Sequence, residues 1–591
     1  MADVLRIANC SGFYGDRLSA AREMVEGGPI DVLTGDYLAE LTLMILLKDR
    51  LRDPSLGWAR TFLRQLEEVA ATCKARGIRI VVNAGGLNPG GCADAVRALY
   101  RKLGLDAVVA HVEGDDLMPK LAALQARGEP LAHLDRGTSL AELRSPVLSA
   151  NAYLGGWGIA EALGRGADVV ICGRVTDAAL TVGPAAWRFD WKRDDWDRLA
   201  GAVVAGHVIE CGAQCTGGNY SFFREVPDLR HAGFPIAEMH ADGSFVVTKH
   251  EGTGGLVSVG TVTAQLLYEI QGLDYPNPDV TARFDTIRLA QEGPDRVRVS
   301  GVRGTPPPPT TKVCINYPGG YKNSMTFVLT GLDVEEKARL AEETLWAAVG
   351  GREQFAETRV SLSRADRPDP ASNEAAFAYL TIAVKDPDAA KVSRAAFSNH
   401  VVEMALASYP GFFMTTLPQG ESQIGVYWPA LVPSTDVEQV VVLGDERVPI
   451  APVLPPDRHA APPPAAAPAG DVPAGPTRDV PLGTICGARS GDKGGNANVG
   501  LWVRSEPAYR WLAGYLTADR LRELLPEARG LAVERYALPN LLALNFIVKG
   551  LLGDGVAASL RVDPQAKSLG EYVRARVVPI PVVLLEALPP R

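Results

Sequence analysis

The chain has 591 residues, too many for a single hydrophobic core, and is expected to divide into about three or four domains. Hydrophobic residues at 47% and charged residues at 22% match an ordinary globular composition, and no apolar run approaches the ~18 residues that would span a membrane. A net charge of −9 with scattered Lys and Arg argues against nucleic acid and anionic membranes as partners and leaves a small molecule as the expected ligand.

The N-terminus, MADVLRIANC, has neither a basic segment nor a cleavable apolar one, so the cytoplasm is the expected compartment. The 8 cysteines include no CxxC pair, which suits reduced thiols.

Residues 1–237 read as repeated strand-then-helix units. Short apolar runs begin at Val4, Pro29, Gly77, Asp106 and Ala167, separated by segments with apolar residues at helical spacing. Continuous apolar strands alternating with helices predict a Rossmann-like α/β domain with a parallel sheet covered on both faces. Ligands of such sheets bind beyond the carboxyl ends of the strands. Those ends carry Ser11 and Gly12, then Asp36, then Asn83, Gly85 and Gly86, then Arg174 and Asp177. Each end alone reads more readily as a plain βα turn; together they point to a shared ligand site. The first end lacks G-x-G-x-x-G, so no nicotinamide or flavin is expected. His207, Cys211 and Cys215 are spaced four apart, but glycines interrupt the helix before Cys215 and no metal is predicted.

Residues 238–450 change pattern. EMHADGSFVVTKHEGTGG reads as a hairpin and a glycine-rich loop before an amphipathic helix. In that loop His250 and Glu251 are candidate proton carriers, and Gly252, Thr253 and Gly254 offer backbone N–H groups to an oxyanion. The competing reading is a capping turn. A βαββαβ order follows, from SMTFVLTG to QVVVLGDE, and predicts a ferredoxin-like layer.

Residues 451–478, rich in Pro and Ala, read as a linker. Residues 479–591 read as a small α+β domain opening with SGDKGGNANVG. There Ser490, Asp492, Lys493 and Asn496 suit recognition of a phosphate or carboxylate, and a plain hairpin turn is the alternative.

The set NCSGFYGDR, LTGDYLAE, VNAGGLNP, ICGRVTDAAL, GHVIECGAQCTGGNY, HEGTGGLVS and SGDKGGNANVGLW resembles the acyclic terpene utilisation AtuA family, with the tail similar to its AtuA-like ferredoxin-fold domain. The resemblance implies catabolism of acyclic terpenes or related organic acids through acyl-CoA intermediates, and carries over no catalytic residues. The expected protein is a hydratase, lyase or isomerase acting by proton transfer on an acyl-CoA or organic acid, and a homo-oligomer. It needs no cofactor, coenzyme A entering only as part of the substrate. Phosphate- or nucleotide-dependent acyl activation and a non-catalytic subunit of an acyl-CoA enzyme complex are the alternatives.

Overall fold

The computed structural model describes residues 4–456, 472–473 and 475–588. Most of the predicted linker, 457–471 and 474, lies outside the described residues.

Six N-terminal strands organise the large body: β1 (Val4–Asn9), β2 (Val32–Gly35), β3 (Arg79–Val82), β4 (Val109–Glu113), β5 (Ser149–Ala152) and β6 (Val169–Cys172). Five of them are parallel neighbours in the order β1-β2-β3-β6-β4. Their apolar runs are buried because helices cover the sheet, as Arg60–Arg76 does through Phe62, Leu66 and Val69. The first strand stands at one end of this parallel block, whereas a doubly wound dinucleotide fold has it in the centre. The sheet is also mixed. The hairpin Pro235–His240 and Phe245–Lys249 adds to β1 antiparallel and is extended by Arg296–Ser300 and Arg288–Gly293, while Gln439–Leu443 and then Glu446–Ile450 add to β4, making 11 strands in all.

Gln439–Leu443 is the QVVVLGDE strand that the sequence assigns to the ferredoxin-like layer. The open edge of β4 needs hydrogen-bond partners, and this strand supplies them. The second sheet instead runs Glu357–Ser363, Ala378–Asp386, Thr310–Leu329, Phe413–Met414, all antiparallel neighbours. That is the split βαβ order with Phe413–Met414 in fourth place. The 20-residue strand Thr310–Leu329 is its spine and pairs also with β5 and with Ser422–Pro433, so its first residues lie beside the ends of the parallel strands.

The C-terminal domain is a four-stranded antiparallel sheet in which Gly487–Lys493 and Asn496–Trp502 form a hairpin closed by Gly494 and Gly495. The hairpin lies on the large body. A Cβ on Gly491 would stand 2.6 Å from Tyr268 Cε2, and one on Gly500 2.6 Å from Leu267 Cβ. These glycines therefore permit close approach, which gives the glycine-rich run its structural reason. Polar pairs fix the docking. Asn498 Oδ1 accepts from Glu269 N at 2.9 Å, Asn545 Nδ2 donates to the Ile270 carbonyl at 3.2 Å, and Ser221 Oγ bridges the Ala488 carbonyl and N–H at 2.7 and 3.0 Å.

Candidate active site

Beyond the carboxyl ends of the parallel strands, and closed over by the C-terminal hairpin, lies a cavity of about 990 Å³. Such a volume is at the upper end of what small-molecule sites use. Its wall carries acids, among them Asp36, Glu40, Asp177, Glu210, Glu269 and Asp492, interleaved with cations that include Arg174, Lys312 and Lys493. Phe13, Leu134 and Leu431, all exposed, add apolar surface to the same wall.

Each side chain has a local reason for its position. Asp36 follows β2 and is held by Leu38 N at 3.0 Å and Asn83 Nδ2 at 2.6 Å. Arg174 follows β6, is 3% exposed, donates to Asp177 at 2.8 Å and lies 4.2 Å from the Tyr153 ring centroid. Glu210 caps the C-terminal end of the helix Trp196–Ile209, and its Oε1 stands 3.4 Å from His207 Nδ1. Lys312 is near the start of the long strand, 3.9 Å from Glu40 and over the rings of Tyr153 and Tyr427. Lys493 stands at the tip of the C-terminal hairpin.

Burial and neighbouring charge divide these groups. Burial, reinforced by Asp177, pushes Asp36 and Glu210 well above the usual carboxylate range. Asp492 is pushed up to about 7 by burial and by Glu269. For Glu40 the effect of burial is overcome by Lys312, Arg174 and Lys493, which hold it at about 2. Burial drives Lys312 below the ordinary lysine value despite Glu40, and Lys493 and Arg174 push it the same way. Lys493 goes the other way, since Glu269, Glu40, Asp177 and Glu210 outweigh its desolvation. His207 is lowered to about 4, chiefly by burial and then by Lys493.

Of the residues the sequence singles out, Gly12, Asp36, Arg174, Asp177, Asp492 and Lys493 line this cavity. Asn83 lies behind Asp36 as its hydrogen-bond donor. Ser11, Gly85 and Gly86 sit in strand-end turns: Ser11 Oγ donates to the Phe13 carbonyl at 3.0 Å, and Gly85 N donates to the Cys172 carbonyl at 3.0 Å. Ser490 is buried between Gly570 N and the Lys567 carbonyl. Asn496 joins Asp135 at 2.6 Å to Gly550 N. His207, Cys211 and Cys215 do not form a ligand group among the described residues; His207 Nε2 lies 3.1 Å from the Gln265 carbonyl.

His250, Glu251, Gly252, Thr253 and Gly254 do not border the cavity. His250 is buried against the Gly27–Gly28 turn, where its Nε2 lies 2.9 Å from the Met24 carbonyl, and Thr253 Oγ1 donates to the His250 carbonyl at 2.7 Å. These contacts tie the hairpin to the helix Ala20–Glu26. His250→Gln is therefore expected to cost ~1–3 kcal/mol of stability, read by denaturant unfolding, with the turnover of the folded protein unchanged. A large loss of turnover in a protein of unchanged stability would return the proton-carrier role to His250.

Sequence reasoning passes over Glu40, Glu210, Glu269 and Lys312. Each is a single charge in or beside a regular element, and only the tertiary fold brings the four to one wall. The nearest signal is the run from His207 to Cys215, which contains Glu210.

A family model described as acyclic terpene utilisation family protein AtuA matches residues 5–443, and one described as AtuA ferredoxin-like domain matches residues 480–579. No curated protein and no solved structure matches the chain. No helix among the described residues is long and apolar enough to cross a membrane.

Proposed function

We propose, from the premise that this chain belongs to the acyclic terpene utilisation AtuA family, that it is an enzyme acting on a branched or unsaturated acyl-CoA or organic acid by proton transfer. Membership implies involvement in acyclic terpene utilisation, and the chemistry is our reading of the cavity. The observation that carries it is the gathering at one cavity of Lys312, placed 3.9 Å from Glu40, with Arg174 and Lys493 among the other cations of the wall.

Lys312 is the proposed base. Its neutral amine takes a proton from the carbon next to a thioester or carboxylate carbonyl: the C–H bond breaks, an N–H bond forms, and the electron pair passes into the carbonyl as an enolate. Arg174 and Lys493 stand in the same wall to hold that oxyanion, since fixed charge already in place where negative charge develops stabilises it without reorganisation. Return of the proton to the γ carbon completes an isomerisation, while departure of a β-hydroxyl as water, protonated by Asp492, completes the lyase reaction. Phe13, Leu134 and Leu431 suit a hydrocarbon chain.

The sign of the pH dependence follows from the base. Only the neutral amine abstracts a proton, so kcat/KM should climb with pH and level off below the ordinary lysine value. A profile that falls over this range would contradict the role.

Binding is tested by thermal shift and mass spectrometry with acyl-CoA thioesters, free branched acids and nucleotides. We expect thioesters or acids to bind, with the affinity reduced roughly tenfold or more in Lys493→Ala and falling as salt rises. Stabilisation by ATP alone would favour acyl activation instead, and activity only on mixing with an acyl-CoA enzyme would favour the subunit reading.

A further inference from the structure

We propose that Asp36, Asp177 and Glu210 together hold one hard divalent cation of the Mg²⁺, Mn²⁺ or Ca²⁺ class. Each offers a carboxylate oxygen, and these oxygens all lie within 4.8 Å of one another. Two oxygens on opposite sides of a cation at ~2.3–2.6 Å from each would be separated by about that distance. Three separate elements deliver the groups: the end of β2, the loop after β6, and the C-terminal end of the helix Trp196–Ile209.

Two observations beyond this clustering point to a ligand. Glu210 is 8% exposed, and its Oε2 is buried with no hydrogen-bond donor, a costly state for an acceptor. The same carboxylate caps a helix at its C-terminal end, where the backbone dipole disfavours negative charge and favours a cation. The protein's own cations leave part of this charge uncompensated, since Arg174 donates to Asp177 Oδ1 at 2.8 Å and Asp36 is held by neutral N–H donors through Oδ1. An all-oxygen set selects a hard ion. With three protein ligands, other coordination positions stay open to water or to a substrate oxygen.

The role of the cation, holding the oxygen on which enolate charge develops, rests on the function proposed above. Its binding is tested without any substrate. Titrating the full chain with Mn²⁺ and following the free ion by electron paramagnetic resonance should show one ion per chain, displaced by excess Mg²⁺ or Ca²⁺. Glu210→Gln and Asp36→Asn should each weaken it by at least about tenfold, while Lys312→Met leaves it in place. Asp177→Asn, at a half-buried position, reads the same site should either buried variant fail to give native circular dichroism. Absence of bound Mn²⁺ at about 1 mM, or an affinity that all three ligand substitutions leave unchanged, overturns the proposal. Failure of the lysine chemistry would leave this titration untouched.

Discussion

Lys312→Met is expected to lower kcat by ~10²–10⁴-fold, the usual contribution of a general base, while the protein keeps its fold and its ligand affinity. The substitution preserves most of the aliphatic stem that passes the Tyr153 and Tyr427 rings and removes only the amine. Glu40 then loses the first of the cations that hold it at about 2, so its pKa should rise; the remaining cations, Arg174 and Lys493, limit the change. Lys312→Arg separates charge from basicity, because a guanidinium keeps the positive charge and does not lose its proton in proteins. It should be nearly as inactive as the methionine variant. Full activity in the arginine variant would mean that Lys312 only balances charge, and the base would have to be sought among the carboxyl groups.

The second large effect is expected at the docked C-terminal domain. Trp502 is 2% exposed, stacks on Tyr220 with ring centroids 6.2 Å apart, and belongs to the core of the large body with Leu538, Leu541 and Ala543 of its own domain. Trp502→Ala should cost ~3–5 kcal/mol, the range for removing a large buried aromatic side chain, seen as a lower denaturant midpoint. Because the hairpin that ends at Trp502 also carries Lys493, ligand affinity should fall in the same variant. A stability loss below ~1 kcal/mol, the size expected of surface changes rather than of core truncation, would show that the two bodies do not share a core.

That shared core marks where the sequence is informative and where it is not. The run of Pro and Ala before residue 479 breaks periodicity and signals a chain boundary, but composition carries no trace of the complementarity that lets the following domain settle on Leu267 and Tyr268. The parallel strands are legible because both of their faces are buried, which leaves unbroken apolar runs such as VVIC in β6. Gln439–Leu443 is equally apolar, and its assignment to the wrong sheet reflects a decision made by an unpaired edge far away in sequence.

The site divides along the same line. Asp36, Arg174 and Asp177 stand at strand ends, where a parallel sheet presents its ligand side, so their shared wall follows from local pattern. Lys493 is visible as a charge among glycines. Lys312 sits in a strand otherwise read only for its later residues, and Glu210 ends a helix whose other residues are nearly all apolar. Neither has a neighbour in sequence that shares its role. His250 lies elsewhere: glycines beside a titratable group suggest a ligand, and the same segment packs on the helix Ala20–Glu26, away from this cavity.

The most direct test of the proton-transfer account is wash-in of solvent deuterium. The protein is incubated in D₂O with a panel of branched and unsaturated acyl-CoA thioesters and free acids, and the recovered compounds are weighed by mass spectrometry. The account predicts deuterium at the carbon next to the carbonyl in at least one compound that binds, with exchange lost in Lys312→Met. A compound that binds with Lys493-dependent affinity, converts to product and returns without deuterium would contradict it.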